Sequence, residues 1–181
     1  MQHAVKVPGC CEGLCSKFPA VPLDLNLPFL QSVPGIFKIA HTTLGLICLI
    51  VIGCYVQFTH PITGSSLGLL CSKSDAYFLL VTYGCFVTSF LLLVCSIISY
   101  FTASFLPKTA FEFVYHLTAC LMYLTASLTL LCVLLATNAE TGGYREPGFD
   151  AKVAVSVLGI INSVLYGVST YFSFQSFRQM S

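Results

Sequence analysis

The sequence predicts an all-α integral membrane protein, built as a bundle of four transmembrane helices. Only 8% of its 181 residues are charged, 56% are hydrophobic, and the mean hydropathy is +0.87. Soluble globular chains carry about 25% charged residues, so this composition excludes a soluble fold. The few charges leave four uncharged stretches of 25 to 34 residues. Each stretch holds one helix of roughly 20 apolar residues, the length that crosses the hydrocarbon of a bilayer.

The four spans follow when each uncharged stretch is trimmed at its polar, proline and glycine edges. They are predicted at 39–59, 77–101, 113–137 and 153–177. The run LGLICLIVI at 44–52 does not alternate polar with apolar residues, which excludes the strands of a transmembrane β-barrel. None of the four predicted spans contains Lys, Asp or Glu, so a coupled transporter would lack an ionisable relay there.

Short segments are expected outside the bilayer. The predicted organisation is an amino-terminal arm at 1–30, a four-span domain at 31–178 and a tail at 179–181. Lys and Arg near the spans are divided five to three in favour of the side that carries both termini. Because positive charge is enriched on the cytosolic side, we expect both termini in the cytosol.

The amino-terminal arm carries a cysteine cluster made of Cys10, Cys11 and Cys15. Cytosolic cysteines near a membrane favour S-palmitoylation, which would hold the arm at the inner leaflet. Together with His3 the cluster also offers four soft ligands for zinc, although adjacent cysteines fit the usual C-x2-4-C spacing poorly. A third interpretation gives these cysteines no special role.

Small and polar residues recur at helical spacing within the spans. Small residues at intervals of four let helix backbones approach closely in a membrane, either inside one bundle or between two copies. Asn162, near the centre of the fourth span, is expected to donate or accept a hydrogen bond across a helix interface. The residues predicted to pack helices are Gly45, Gly53, Gly159, Asn162, Ser163 and Gly167.

Two histidines, His41 and His116, lie at similar predicted depth in the first and third spans. Two facing imidazoles can hold a haem, but His116 can equally pair with Glu112 one helical turn earlier. The histidine pair has no further haem signature, so no cofactor is predicted. The spans also lack a carboxylate that could orient a histidine beside a nucleophile, and no enzyme is predicted.

The third span resembles a known family. Residues 115–127 read YHLTACLMYLTAS, which is similar to the Tyr-His-x-Thr-Ala-x3-Tyr-Leu-Ser-Ala-Ser stretch of the MAL proteolipids. The Pro-Gly pair at 34–35 resembles the entry to the first span of many MARVEL-domain proteins. The resemblance also extends to chemokine-like-factor transmembrane proteins and the insect singles-bar type. The motif residues are Tyr115, His116, Thr118, Ala119, Tyr123, Leu124, Ala126 and Ser127.

This resemblance implies a four-helix bundle of MARVEL type and a role in membrane apposition, vesicle trafficking or myoblast-type cell fusion. It implies membrane lipids as partners, cholesterol or sphingolipid-rich patches among them, together with other membrane proteins and a possible homo-oligomer. The expected location is the plasma membrane, trafficking vesicles or both, and no nucleic acid is expected as a partner. A channel or transporter subunit is the alternative function.

Overall fold

The computed structural model describes residues 26–58, 72–106, 109–140 and 148–179. These residues form a short 3-10 helix, Leu27–Gln31, and five α-helices. Four of the α-helices are long and apolar enough to cross a membrane, which confirms the predicted four-helix fold class. Cys10, Cys11 and Cys15 lie outside the described residues. The helices are α1 (Val33–Phe58), α2 (Lys73–Ile98), α3 (Tyr100–Phe105), α4 (Ala110–Glu140) and α5 (Phe149–Arg178).

The four long helices form a ring in cross-section. Helix α1 packs beside α2 and α5, and α4 packs beside the same two helices. Consequently α1 faces α4 across one diagonal of the bundle, and α2 faces α5 across the other. We call the end where α1 begins and α5 finishes the terminal end, and the other end the opposite end. The terminal end is the side predicted to face the cytosol.

The surface of the bundle is more apolar than its interior. On α5 the buried residues include Ser156, Asn162 and Ser169, whereas the exposed ones include Ile161 and Val164. The other long helices also turn large apolar side chains outward while burying polar ones. Lipid tails are as apolar as leucine side chains, so this inverted pattern suits a bundle surrounded by hydrocarbon. Multi-pass membrane insertion follows from helix length, composition and this distribution.

The helices run past the charges that bounded the predicted spans. Helix α1 begins at Val33 instead of residue 39, and α5 begins at Phe149 instead of residue 153. As a result Lys38, Asp75, Glu112 and Lys152 lie inside membrane-spanning helices, and all four are buried. The expectation that spans contain no Lys, Asp or Glu is therefore wrong. Each charge is paired with an opposite one, which offsets the cost of removing it from water.

The second span ends earlier than predicted, at Ile98 instead of residue 101. Ser99 has an extended backbone, with φ −132° and ψ 117°, so the helix cannot continue through it. Its hydroxyl oxygen accepts a hydrogen bond from the backbone N–H of Thr102 at 3.3 Å and caps the short helix α3. Helix α2 and helix α3 are therefore two elements where the sequence predicted one.

Candidate functional site

A buried salt bridge connects α1 to α4 at the terminal end. Nζ of Lys38 lies 2.9 Å from Oε1 of Glu112. The two side chains are buried, with exposed fractions of 3% and 2%. His116 lies one turn beyond Glu112, with Nε2 3.5 Å from the same oxygen. The Lys38 ammonium also donates to Oγ of Ser96 on α2 at 3.3 Å. These residues and His41 form what we call the terminal cluster.

The helical repeat places these charges in the bundle interior. On α1, Lys38 and His41 belong to the same buried face as Gly45, Cys48 and Ile52, at alternating intervals of three and four residues. On α4 the buried residues Glu112, His116, Ala119, Tyr123 and Ala126 follow the same rule. Intervals of three and four keep side chains on one face of an α-helix. The charges therefore continue the core face of each helix to its end.

His41 is held on three sides. Its Nδ1–H donates to Oδ1 of Asn162 at 3.3 Å, and its Nε2 accepts from the hydroxyl of Ser169 at 3.0 Å. The ring stacks on Tyr166 with centroids 3.9 Å apart and planes 5° apart. Both ring nitrogens of His41 are therefore engaged, so a haem held between His41 and His116 does not fit this geometry.

Tyrosine and serine hydroxyls continue the polar interior toward the middle of the bundle. The Ser89 hydroxyl lies 2.7 Å from the Tyr115 hydroxyl and 2.6 Å from that of Tyr166. Tyr115 donates to the backbone carbonyl of Cys85 at 3.0 Å. This network joins α2, α4 and α5. Lys38 and His41 add contacts from α1, so side chains of all four long helices hold the terminal half together.

A cavity of about 270 Å³ lies beside the terminal cluster, between α1, α4 and α5. Lys38 and Glu112 contribute charged groups to its lining, His116 contributes an imidazole ring, and Ser169, Ser173 and Ser176 contribute hydroxyl groups. Within the described residues, Oε2 of Glu112 and Nδ1 of His116 are buried and have no hydrogen-bond partner. Buried polar atoms are normally paired, and Glu112 and His116 both line the cavity, so these two atoms are candidate hydrogen-bonding partners for a ligand.

A second buried salt bridge connects α2 to α5 at the opposite end. Nζ of Lys152 donates to Oδ2 of Asp75 at 2.7 Å, and both side chains are buried. Ser156, one turn later, donates its hydroxyl to the Lys152 carbonyl at 2.8 Å. The two salt bridges thus span the two diagonals of the bundle, one at each end.

The glycines predicted to pack helices differ in their surroundings. A Cβ at Gly159 would collide with the Ser127 hydroxyl and come within 3.0 Å of the Phe78 ring. A Cβ at Gly45 would lie 3.4 Å from the Tyr123 hydroxyl, and one at Gly167 would lie 3.6 Å from Sγ of Cys120. At Gly53 a Cβ would meet no described atom within 4 Å, so no close approach requires glycine there.

The polar packing residues of the fourth span cross helix interfaces. Asn162 is fully buried and bonds His41 across the α1–α5 interface. Ser163 donates its hydroxyl to the backbone carbonyl of Cys120 on α4 at 2.8 Å. Both contacts lie near the centre of α5.

The family-like motif of the third span is divided between two faces of α4. His116, Ala119, Tyr123, Ala126 and Ser127 are buried in the bundle. Thr118 and Leu124 are exposed on the outer surface, and Tyr115 lies between the two faces with its hydroxyl directed to α2. The buried part of the motif therefore shapes the core, and the exposed part faces the surrounding lipid.

Sequence reasoning did not identify the two salt bridges. Their residues border the uncharged stretches, so the sequence pattern predicts them outside the membrane. A signal was nevertheless present, since Lys38 precedes His41 by three residues and Glu112 precedes His116 by four. When the buried face of α1 and that of α4 are each extended by one turn beyond the uncharged stretch, they include Lys38 and Glu112.

Comparison with known proteins gives two informative matches. The chain is 27% identical to plasmolipin from Danio rerio over 162 residues, which cover 88% of this chain and 80% of plasmolipin. It is 26% identical to the protein singles bar from Drosophila melanogaster over 174 residues, which cover 93% and 89% of the two chains. No family model and no solved structure matches the chain. The two matches support a MARVEL-like tetraspan family and so confirm the resemblance seen in the third span.

Proposed function

We propose that this MARVEL-like tetraspan protein is a non-enzymatic organiser of membranes, acting in membrane apposition, vesicle trafficking or cell-cell fusion. The observation that carries the proposal is the inverted distribution of residues. Large apolar side chains such as Leu80, Phe90, Leu121 and Val164 cover the outside of the bundle, while charged and hydroxyl groups are used inside it. Such a surface acts by contact with lipids and with other membrane helices.

The interior chemistry supports a structural role for most charges. Asp75 is bound to Lys152, and Glu112 is bound to Lys38 and His116, so neither carboxylate orients a nucleophile. The two diagonal salt bridges join opposite helices at both ends of the bundle. A bundle tied in this way suits lateral association into lipid-rich patches and contact with other membrane proteins or further copies of the chain.

A tagged chain in cells tests the proposal. We expect it at the plasma membrane, on trafficking vesicles or at both, and we expect its depletion to slow vesicle delivery or cell-cell fusion. Re-expression of the intact chain restores the rate, which controls for indirect effects of depletion. A mitochondrial location together with unchanged traffic and fusion after depletion would contradict the proposal.

Acylation of the arm belongs to the same proposal. Fatty acyl chains on Cys10, Cys11 and Cys15 would hold the arm at the membrane, since each buried CH2 contributes about 0.8 kcal/mol. Hydroxylamine-sensitive acyl labelling is expected on the intact chain and should be lost when all three cysteines become Ser. A matched variant with Cys54→Ser, an exposed cysteine on α1, should keep the label. Unchanged labelling of the triple variant would refute acylation of the arm.

A channel or transporter subunit is a second candidate because the terminal cluster places ionisable groups within a membrane span. Such groups commonly mark ion or proton pathways. Liposomes that contain only this chain separate the two functions. Proton or ion flux that falls in a Glu112→Gln variant would favour transport, whereas flux equal to that of empty liposomes would favour the organiser.

A further inference from the structure

The cavity at the terminal end has a polar floor and an apolar mouth. Its floor is formed by Lys38, Glu112 and His116, whose residues are at most 3% exposed. Its mouth includes Val33 and Phe172, which are 55% and 44% exposed and belong to the outer apolar surface. The cavity therefore connects the lipid-facing surface of the bundle to a buried charged cluster. A molecule that enters it from the bilayer must be amphipathic.

The hydrogen bonds within the cluster determine which polar group would fit the floor. Oε1 of Glu112 receives both Lys38 and His116, whereas its Oε2 has no partner among the described residues. Nε2 of His116 lies 3.5 Å from Oε1 and donates its proton to the carboxylate. Nδ1 is also without a described partner. Since a carboxylate oxygen can only accept hydrogen bonds, the free Oε2 favours a ligand that donates one.

The charge of the cluster favours an uncharged ligand. Lys38 neutralises Glu112 at 2.9 Å, and its ammonium is further occupied by Ser96 and by the ring of Phe29, 5.5 Å from its centroid. A phosphate headgroup would have to compete with Glu112 for this ammonium. A cationic headgroup would be repelled by Lys38. A hydroxyl group donates a hydrogen bond without adding charge to a site that is already neutral.

The remaining lining suits the apolar part of a lipid. Val33, Pro34, Phe37 and Phe172 form the wall between the floor and the outer surface. Together these observations lead to one assignment. We infer that the cavity binds a neutral membrane lipid through its free hydroxyl group, which donates to Oε2 of Glu112 while the hydrocarbon lies against Phe37 and Phe172. The inference deepens the proposed organiser function, on which it rests for its membrane setting.

Sterols and diacylglycerols share this chemistry, and photolabelling distinguishes them. The intact chain is placed in phosphatidylcholine nanodiscs with a photoreactive, clickable diacylglycerol that has a free hydroxyl. We expect the label on the cavity segments of α1 and α5, at 33–38 and 169–176. Unlabelled diacylglycerol and a sterol are then added as competitors, and the stronger one identifies the source. Their methyl ethers, which cannot donate a hydrogen bond, should compete about tenfold less well.

Three variants locate the site. Ser176→Phe narrows the cavity without altering the salt bridge, and it should reduce labelling about tenfold. Glu112→Gln replaces the anionic acceptor with a weaker one and should also reduce labelling. Thr118→Phe is the matched control, since Thr118 lines a separate groove between α2 and α4. It introduces the same side chain into the bundle surface and should label like the unmodified chain.

Competition between the photoreactive diacylglycerol and the unlabelled lipids on the unmodified chain tests the inference, even where a variant fails to fold. Equal competition by the free lipids and their methyl ethers would overturn it, as would labelling spread evenly over all lipid-facing helices. Displacement by phosphatidylserine in preference to the neutral hydroxyl lipids would overturn it too. These results concern binding in nanodiscs alone, so failure here is distinct from failure of the trafficking or fusion experiments.

Discussion

The two ends of the bundle use the same device in different surroundings. At the opposite end, Asp75 and Lys152 join α2 to α5 with a short contact of 2.7 Å. At the terminal end, Lys38 and Glu112 join α1 to α4 at 2.9 Å, with His116 as an additional partner. Among the described residues, only the terminal pair lies beside the 270 Å³ cavity and has a fully buried carboxylate oxygen without a hydrogen-bond partner.

This difference indicates that the salt bridge at the opposite end only stabilises the fold, whereas the one at the terminal end can also bind a ligand. A buried pair in which each charge satisfies the other contributes geometry, because removing either partner leaves an uncompensated charge. A cluster that leaves a buried carboxylate oxygen unpaired keeps hydrogen-bonding capacity that a ligand can use. The opposite end is therefore interpreted as a structural clamp, and the terminal end as a clamp that also carries a binding site.

The largest expected effect comes from removing the cation at the opposite end. Lys152→Met leaves the Asp75 carboxylate buried, which should lower the free energy of unfolding by about 3–5 kcal/mol. The double variant that also carries Asp75→Asn removes the stranded charge and should recover most of the loss. SDS titration in mixed micelles measures both. A loss below about 1 kcal/mol for Lys152→Met would contradict a structural clamp.

Removing the cation at the terminal end should cost less. Lys38→Met leaves His116 3.5 Å from the same carboxylate oxygen, so Glu112 keeps a partner. We expect a loss of about 2–3 kcal/mol in the same titration. Lys73→Met is the matched control, because Lys73 is exposed at the start of α2 and should change stability by about 0.5 kcal/mol or less. Equal losses for Lys38→Met and Lys152→Met would remove the distinction between the two ends.

A smaller effect is expected from packing between the ends. Gly159→Ala places a methyl group against the Ser127 hydroxyl and the Phe78 ring. Overpacking costs about 1–3 kcal/mol and the gain in helix propensity offsets about 1 kcal/mol, so a net loss of about 1 kcal/mol is expected. Gly53→Ala has open space and should be neutral or stabilising in the same SDS titration. Destabilisation by Gly53→Ala as great as that by Gly159→Ala would contradict the packing described.

The smallest effect concerns a single hydrogen bond of the terminal end. Ser169→Ala removes the hydroxyl that donates to Nε2 of His41 at 3.0 Å. Hydrogen bonds between membrane helices contribute about 0.6 kcal/mol on average, and a loss of that order is expected. Thr129→Ala is the comparison, since the Thr129 hydroxyl is exposed and donates to the carbonyl of Thr125 on its own helix. If both variants lose the same stability, His41 is not held by α5 in the way described.

The fold was largely predictable because its main determinant is simple. Uncharged stretches such as 113–139 exceed the thickness of a bilayer, so the number of long helices follows directly from the sequence. The position of Asn162 in a helix interface was also predictable, since a polar group is costly in lipid. Both inferences require only the preference of each residue for water or for hydrocarbon.

The terminal cluster was harder to predict from the sequence, for a physical reason. A buried charge is tolerated only beside a specific partner, and Lys38 and Glu112 are distant in sequence. Their pairing depends on α1 and α4 facing each other across a diagonal, which hydropathy does not encode. The same limitation applies to Asp75 and Lys152. Treating charge as a boundary of the membrane therefore placed the span ends too far inward at all four residues.

The most direct test compares the two ends for their response to one lipid. Thermal unfolding is measured with and without a diacylglycerol that has a free hydroxyl, for the unmodified chain, Asp75→Asn and Glu112→Gln. Binding to the folded state raises the unfolding temperature. We predict that Asp75→Asn starts from a lower unfolding temperature but keeps the full increase, whereas Glu112→Gln loses it. A full increase in Glu112→Gln, or its loss in Asp75→Asn, would contradict the assignment of the binding site to the terminal end.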